Sequence, residues 1–484
     1  MIVMKFGGTS VGSVERISNV ARIISDYRQR GQEIVVVASA MAGVTSDVIR
    51  AARLAAQGDS ARARQVVSSL RRQHCEVAAI VFGDGAERSD YEAYAEGRFQ
   101  DLERYCQSYA VLGEITVRSL DQVVGVGESL SVRLLAGSLR QEGTSARAED
   151  ATDFVVTDDD FGSAKPLMPL TREKTRARLL PLIEEGVVPV VTGYIGATED
   201  GVPTTLGRGG GDYSAAILGA CLDAREVWIW TDVDGILTAD PNIVPHARTL
   251  EALSYAEAAE LAYLGADVLH PKTIRPVEEC GIPLRIRNSF NPAHPGTLVA
   301  DKPGMDRRTV PAIISTKGLC LIAVEGNGDT WTPQLAARAL MRLAESGVAV
   351  LMFTQSFTER TLSLVVGQRD MESCLRTLKN EFERELRQGL LSQVSVRGQV
   401  ATISVVGPSG RHGMRIVPQA FAALGKHGLQ VLSVAQASSE YNVSFVVLEG
   451  DLATTVRTLH RELGLDEETS EVFMDEGSAR VADG

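Results

Sequence analysis

No CxxC pair, no metal-ligand spacing of histidines and no apolar run of membrane-spanning length occurs in this chain. The six cysteines, at 75, 106, 221, 280, 320 and 374, are scattered. That usage fits buried free thiols in a reducing cytoplasm rather than a disulfide framework. The seven histidines leave zinc chemistry and a Ser-His-Asp triad without support, so no metal held by protein side chains is expected. His270, followed directly by Pro271, reads as structural. Basic charge is also short: 49 Lys and Arg against 62 Asp and Glu leave a net charge of −13. Such a balance argues against broad binding to nucleic acid or to an anionic membrane, and neither is expected as a partner. The N-terminus reads as a strand rather than a signal peptide, which points to the cytoplasm. Apolar residues at 44% and charged residues at 23% of 484 describe a globular protein of two or three domains.

Against these absences stands a dense N-terminal signal. Ile2-Val3-Met4 leads into Lys5-Phe6-Gly7-Gly8-Thr9-Ser10, and an amphipathic pattern follows with Val14, Ile17, Val20, Ala21 and Ile24 on one face. This reads as strand, tight loop, helix. Two glycines let backbone N–H groups approach an anion, and a helix N-terminus favours negative charge. Lys5 adds a full positive charge beside them.

Up to about residue 300, short apolar strands alternate with helical stretches. Glu33–Ala38, Val187–Val191 and Glu226–Trp230 are three such strands. Continuous apolar runs between helices imply strands buried on both faces, hence a largely parallel sheet in an α/β fold. Ligands in such folds collect at the carboxyl ends of strands. The segments Ser39–Thr45, Thr192–Tyr194 and Thr231–Gly235 fall at those ends. Glycines cluster again in Leu206-Gly207-Arg208-Gly209-Gly210-Gly211-Asp212, just before a helix-like run. Arg208 there offers a planar fork suited to a carboxylate or phosphate. Asp212 reads first as a helix N-cap, and otherwise as a group orienting a lysine or a metal-bound water. Glu128 falls where a strand-like stretch passes into a helix, a position that dipole effects alone can explain.

After a polar linker at 301–310, an internal repeat begins. Val350–Val366 aligns with Val431–Val447 at an offset of 81 residues, and each copy follows a helical stretch that ends in glycine, Gly347 or Gly428. Helix, glycine, strand, turn, strand is half of a small α+β unit. Duplication for stability alone is one explanation; a pair of small domains binding a ligand between them is the other.

In order, KFGGTSV (5–11), SAMAGVT (39–45), GES (127–129), TLGRGGGDYSA (205–215), WTDVDG (230–235) and VLHPKT (268–273) resemble the motifs of aspartate kinases, members of the amino-acid kinase superfamily. The C-terminal repeat resembles the tandem ACT domains of that family. The stretches VATISVVG (400–407) and AQASSE (435–440) are most similar to the kinase half of bifunctional aspartokinase–homoserine dehydrogenases. No GxGxxG fingerprint is present through Gly484, so a kinase without the dehydrogenase half is expected. The resemblance implies an amino-acid kinase domain over 1–300, ferredoxin-like βαββαβ ACT domains over 311–395 and 396–470, and a disordered tail over 471–484.

The activity implied is ATP plus L-aspartate giving ADP and 4-phospho-L-aspartate, the entry to lysine, threonine and methionine synthesis. By motif, Lys5 contacts the phosphoryl group with the Gly7 and Gly8 N–H groups beside it, and Ser39 lies near the phosphates. Thr231 and Asp232 stand at the nucleotide. Arg208 clamps a substrate carboxylate, Glu128 receives the α-ammonium, and Thr45 helps hold the aspartate. Gly211 replaces a serine often found on the aspartate side. Asp212 orients Lys5 or a magnesium shell, with Mg²⁺ arriving on ATP and held mostly by phosphates and waters. Leu237, Asn242 and Asp267 replace a tyrosine, an arginine and a lysine of the pattern, which weakens ATP binding unless a neighbour such as Lys272 compensates. Those departures motivate a second reading, a catalytically weak amino-acid sensor. Action on glutamate or carbamate is a third. Gln355 and Gln436, at matching places in the repeat, are the candidate effector contacts, with threonine favoured over lysine as the feedback amino acid. Phe357 and Arg360 break the Ser-Ser-Glu spelling in the first repeat, leaving open whether that half-site binds. A homodimer or larger assembly through the ACT domains is expected.

Overall fold

The computed structural model describes residues 1–265, 269–301, 311–327, 332–356, 358–407, 416–436 and 442–466. The expected linker beyond Asp301, the tail 471–484, Asp267 and Phe357 lie outside them. The chain divides into two units. One holds Met1–Ile236, Thr249–Ala262 and the described residues 269–301; the other holds Leu237–Arg248, 263–265 and the described residues from 311 onward.

The first unit is built on strands β1 (Ile2–Phe6), β2 (Ile34–Ala38), β3 (Ala146–Glu149), β4 (Val188–Thr192), β5 (Ile195–Ala197), β6 (Pro203–Thr205), β7 (Glu226–Thr231), β8 (Ala252–Leu253), β9 (Leu284–Asn288) and β10 (Thr297–Val299). Eight of them form one sheet in the order β3-β4-β2-β1-β7-β9-β10-β8, while β5 and β6 pair separately. All neighbours in the large sheet run parallel except β9 and β10. β2 and β4 are buried at every position, as their unbroken valine runs require for strands covered on both faces. β1 lies at the centre between β2 and β7, so the end of β1 opens between two neighbouring strand ends. The helix Val14–Gln29 starts at Ser13, whose hydroxyl accepts the Arg16 N–H, and it buries Ile17, Val20, Ala21 and Ile24 as the spacing predicts.

One local expectation is corrected. The stretch before Glu128 is not strand-like but helical, Val117–Val124, followed through Gly125 by the helix Val126–Gln141. The Thr116 hydroxyl caps the first of these by accepting the Ser119 N–H at 3.1 Å, and Asp121, Val123 and Val124 turn inward together. A run of valines reads as strand by propensity, but the cap and the helical spacing of the buried side chains prevail here.

The second unit carries β11 (Ala312–Gly326), β12 (Val350–Ser356), β13 (Thr361–Gly367), β14 (Leu391–Val406), β15 (Ser433–Gln436) and β16 (Asn442–Leu448) in the order β12-β13-β11-β14-β16-β15. Every pairing is antiparallel. Two βαββαβ halves are visible, but they are not consecutive segments. Ala312–Thr316 pairs with Val406–Thr402 and completes the later half, whereas Leu319–Glu325 pairs with β13 in the earlier one. The expected boundary at 395/396 falls inside β14. Both corrections share a cause: β11 and β14 are long enough to serve each half with a different portion of one strand. The segment Leu237–Arg248 also joins this unit rather than the first, with Ala239 and Val244 in the core formed by Ile403, Val405, Phe445 and Val456.

Candidate active site

Three glycine-bearing turns and one helix start converge at the carboxyl ends of β1, β2 and β4. They enclose a cavity of about 350 Å³ lined by Lys5, Gly8, Ser39 to Gly43, Thr45, Glu128, Tyr194 and Gly207 to Asp212. Lys5 and Arg208 therefore border the same cleft. Lys5 sits on β1 with its side chain 13% exposed, and its Nζ meets Asp212 Oδ1 at 2.5 Å. Asp212 lies in the first turn of the helix Gly210–Leu222, whose N-cap is Gly209 with no side-chain cap. The N-cap reading of Asp212 is thus replaced by an ion pair that fixes the lysine.

Glu128 is 3% exposed and enters from the helix Val126–Gln141. Thr45 Oγ1 donates to its Oε1 at 3.4 Å, while buried Oε2 has no partner among the described residues. Burial pushes its carboxyl up to about 7, opposed by backbone hydrogen bonds at Glu128 and Ala40 and by the Thr45 hydroxyl. Gly127 makes the placement possible: a Cβ there would stand 2.7 Å from Ala40 Cβ and 2.8 Å from Val44 Cγ1. Only a residue without a side chain lets this helix approach the turn after β2 so closely.

Two further residues shape the cleft: Asp121, which escapes a reading of the sequence, and Tyr194, which lies in the segment expected at the end of β4 but to which the sequence assigns no role of its own. Asp121 is buried and takes three donors: Gly162 N–H at 2.8 Å, Thr205 N–H at 3.0 Å and Thr205 Oγ1 at 2.8 Å. It ties down the residues that lead into Gly207 and Arg208. An acidic residue inside the otherwise apolar face of Val117–Val124 is the signal that marks it. Tyr194 adopts a left-handed φ of 72°, and its N–H donates to Ser214 Oγ at 2.8 Å. A bulky residue holding that conformation at a site is strain sustained by its surroundings.

Not every expected residue lines the cavity. Gly7 does not, and its N–H points to the Trp230 carbonyl at 3.5 Å. Thr231 and Asp232 end β7 beside β1 and bond to one another at 3.2 Å, and neither lines the cavity. The Lys272 ammonium donates to Ser163 Oγ at 2.9 Å and to the Leu206 carbonyl at 3.5 Å, so it braces the glycine loop from outside the cavity. His270 Nδ1 accepts the Lys272 N–H at 3.2 Å and caps the helix Pro271–Glu279, a structural task as expected. Burial lowers its pKa, helped by the charges of Lys272 and Arg208, which keeps Nδ1 available as an acceptor. Leu237 and Asn242 belong to the second unit, where Asn242 bonds to Asp240 Oδ1.

The cradle suits a polyphosphate. A Cβ at Gly8 would meet the Ala40 carbonyl at 3.0 Å, and one at Gly211 would meet Lys5 Cε at 3.2 Å. Backbone therefore comes close on both sides of the half-buried Lys5 ammonium, an arrangement matched to an anion. A partnerless carboxylate oxygen of Glu128 in the same cavity is matched to a cation. The cavity can take a ligand that carries both charges.

Comparison with known proteins agrees. Residues 1–288 match the amino acid kinase family, and residues 322–382 and 403–463 match the ACT domain. The chain is 31% identical over 477 residues to aspartokinase 1, chloroplastic, of Arabidopsis thaliana, covering 98% of this chain and 82% of that protein. It is 32% identical over 480 residues to bifunctional aspartokinase/homoserine dehydrogenase 2, chloroplastic, of the same plant, covering 96% of this chain and 51% of that protein. The chain thus spans about half the length of the bifunctional relatives it matches. Among solved structures, E. coli aspartokinase III in complex with aspartate and ADP is similar at 27% identity and a TM-score of 0.77, covering 96% of this chain and 99% of that one. The same enzyme with lysine and aspartate, in its T-state, is similar at a TM-score of 0.78.

Proposed function

This chain belongs to the aspartokinase family, and from that premise we propose that it transfers the terminal phosphoryl group of Mg-ATP to the side-chain carboxylate of L-aspartate, giving 4-phospho-L-aspartate. The observation that carries the reading is the charge content of one cavity: Lys5 fixed by Asp212 at 2.5 Å, and Glu128 with an unpartnered buried oxygen, line the same cleft. A side-chain carboxylate is already ionised at neutral pH, so the acceptor needs no general base. That the described residues lining the cavity include no histidine is then no deficiency. What the reaction does need is positioning of two anions and neutralisation of charge on the group in transfer.

The roles follow from the chemistry of each group. Lys5 offsets charge on the transferring phosphoryl oxygens, and Asp212 holds its ammonium in place. Gly8 and Ser39 line the phosphate side. Arg208 takes the α-carboxylate as a fork, Glu128 takes the α-ammonium, and Thr45 orients Glu128. Gly211, on the aspartate side, leaves room beside Lys5. Mg²⁺ travels with the nucleotide and is held by phosphates and water. Thr231, Asp232 and Gly7 act, in this reading, on the nucleotide beyond the cavity itself. Incubation with L-aspartate, Mg-ATP and hydroxylamine tests the assignment: aspartyl hydroxamate forms, and L-glutamate gives none. Absence of hydroxamate under every condition would instead favour an amino-acid sensor.

The second unit supplies feedback control in this proposal, with threonine rather than lysine as the effector. Gln355 on β12 supports an effector site, because its Nε2 is buried with no partner among the described residues. Gln436 ends β15, the opposite edge strand, and the two edges approach where Thr354 Oγ1 meets Ser433 Oγ at 3.0 Å. Leu351 and Phe353 stand 58% and 54% exposed on the edge strand β12, which supports assembly with a second copy. No helix among the described residues is long and apolar enough to cross a membrane, and all six cysteines are free. Free thiols suit a reducing compartment, which in this proposal is the cytoplasm. Inhibition titrated with each amino acid separates threonine from lysine.

A further inference from the structure

The fold assembles one side-chain cluster that sequence spacing could not show. His246, His460 and Asp466 lie 214 and 6 residues apart in the chain, yet their ligand atoms all fall within 4.8 Å of one another. Asp466 Oδ1 is 2.6 Å from His460 Nδ1 and 2.9 Å from His246 Nε2. All three belong to the second unit. His246 sits on the segment Leu237–Arg248, His460 in the last turn of the helix Leu452–Glu462, and Asp466 just beyond that helix.

We infer that His246 Nε2, His460 Nδ1 and an Asp466 carboxylate oxygen form a binding site for a Zn²⁺-class divalent cation, with water as the fourth ligand. Two imidazoles and one carboxylate are the donor set that such borderline ions take, and three protein ligands leave one open position. Ligand atoms about 2.0–2.1 Å from a tetrahedral ion stand roughly 3.3 Å apart. Reaching that spacing requires Asp466 to withdraw from the two rings by about 0.4–0.7 Å and the two ring nitrogens, which lie within 4.8 Å of each other, to close by up to about 1.5 Å. Asp466 has the latitude, since its side chain is 34% exposed, and that of His246 is 66% exposed.

The more deeply placed ring is already oriented for the task. His460 is 1% exposed, and its remote Nε2 lies 3.0 Å from Thr238 Oγ1. A hydroxyl can serve either tautomer: it donates to Nε2 when Nδ1 carries the proton, and it accepts from Nε2–H when Nδ1 gives its lone pair to a metal. Orientation of a ligand histidine through its second nitrogen is the usual support of a metal site. Thr238 is itself held, since its Oγ1 accepts the Arg248 N–H at 3.0 Å and its carbonyl accepts the Ile313 N–H at 2.8 Å. Arg248 Nε in turn donates to the Leu465 carbonyl at 3.1 Å, next to Asp466. A bound cation would clasp the segment Leu237–Arg248 to the end of the last described helix. The inference is independent of the kinase reading.

The full-length protein, freed of metal with a chelator, is titrated with ZnCl₂ by calorimetry and with CoCl₂ by visible absorption. The expected result is one equivalent of Zn²⁺ bound and tetrahedral Co²⁺ bands in the wild type. Both signals weaken at least tenfold in His246→Ala and in Asp466→Asn. These two positions are partly exposed, so the variants keep the fold, which circular dichroism verifies. Either no binding by the wild type, or binding that survives in both variants through cysteines or other histidines, would overturn the site.

Discussion

Replacing Glu128 by glutamine is expected to make the ligand-free protein more stable at pH 8 while abolishing its use of aspartate. Burial raises this carboxyl from 4.5 to about 7. The folded state therefore holds a proton that the unfolded state has released between those values. Stability from this group is fully present below pH 4.5 and is lost as the pH rises through 7. At about 1.4 kcal/mol per unit, the loss above pH 7 amounts to roughly 3 kcal/mol as an upper bound. Glutamine carries no charge and avoids that loss, and it keeps an acceptor for the Thr45 hydroxyl. Its NH₂ group takes the place of Oε2, which has no partner, and an unpaired buried donor costs about 1–3 kcal/mol. The net gain at pH 8 is then about 1 kcal/mol, and at pH 4.5 it changes sign. Urea unfolding of both proteins at the two pH values measures the difference. A wild-type protein whose margin over Glu128→Gln does not shrink between pH 4.5 and pH 8 would refute the assignment of a strained, buried carboxylate. The same logic makes KM for aspartate rise in the wild type as the pH falls below 7, because the protonated carboxyl no longer attracts an ammonium.

Three other outcomes follow from particular contacts. Gly127→Ala forces a Cβ into Ala40 and Val44 at under 3 Å, so it destabilises the protein by about 1–3 kcal/mol in denaturant titrations and raises KM for aspartate. Gln355→Ala leaves kcat within about twofold but shifts the inhibition curve for the feedback amino acid by roughly tenfold or more, as expected for losing one buried hydrogen bond to a charged group. Phe353→Asp, on an exposed edge, lowers the oligomer mass seen by light scattering without lowering the thermal transition of the chain.

Much of the site was legible because glycines, a lysine and strand ends carry local signals. The N-terminal strand, loop and helix over 2–29 formed as the apolar spacing implied, and Lys5, Gly8, Ser39, Thr45, Glu128, Arg208, Gly211 and Asp212 line one cavity. Features decided by tertiary contact were not legible. The valines before Gly125 became helix because their inward face packs with Asp121, and Asp212 pairs with Lys5 across more than two hundred residues instead of capping its own helix. The sharing of strands between the two halves was hidden for a related reason. A 15-residue β11 and a 16-residue β14 each serve two halves, which no composition change marks. The duplication itself was visible, because paired halves repeat the same helix, glycine and hairpin.

Steady-state kinetics of Lys5→Ala and Arg208→Ala, measured side by side, test most directly whether one cleft binds aspartate at one wall and transfers phosphate at the other. The account predicts that Lys5→Ala lowers kcat by about 10²-fold or more with little change in KM for aspartate. It predicts that Arg208→Ala raises that KM by roughly 10- to 100-fold while kcat stays within a few-fold. Unchanged turnover in Lys5→Ala, or unchanged aspartate KM in Arg208→Ala, would contradict it.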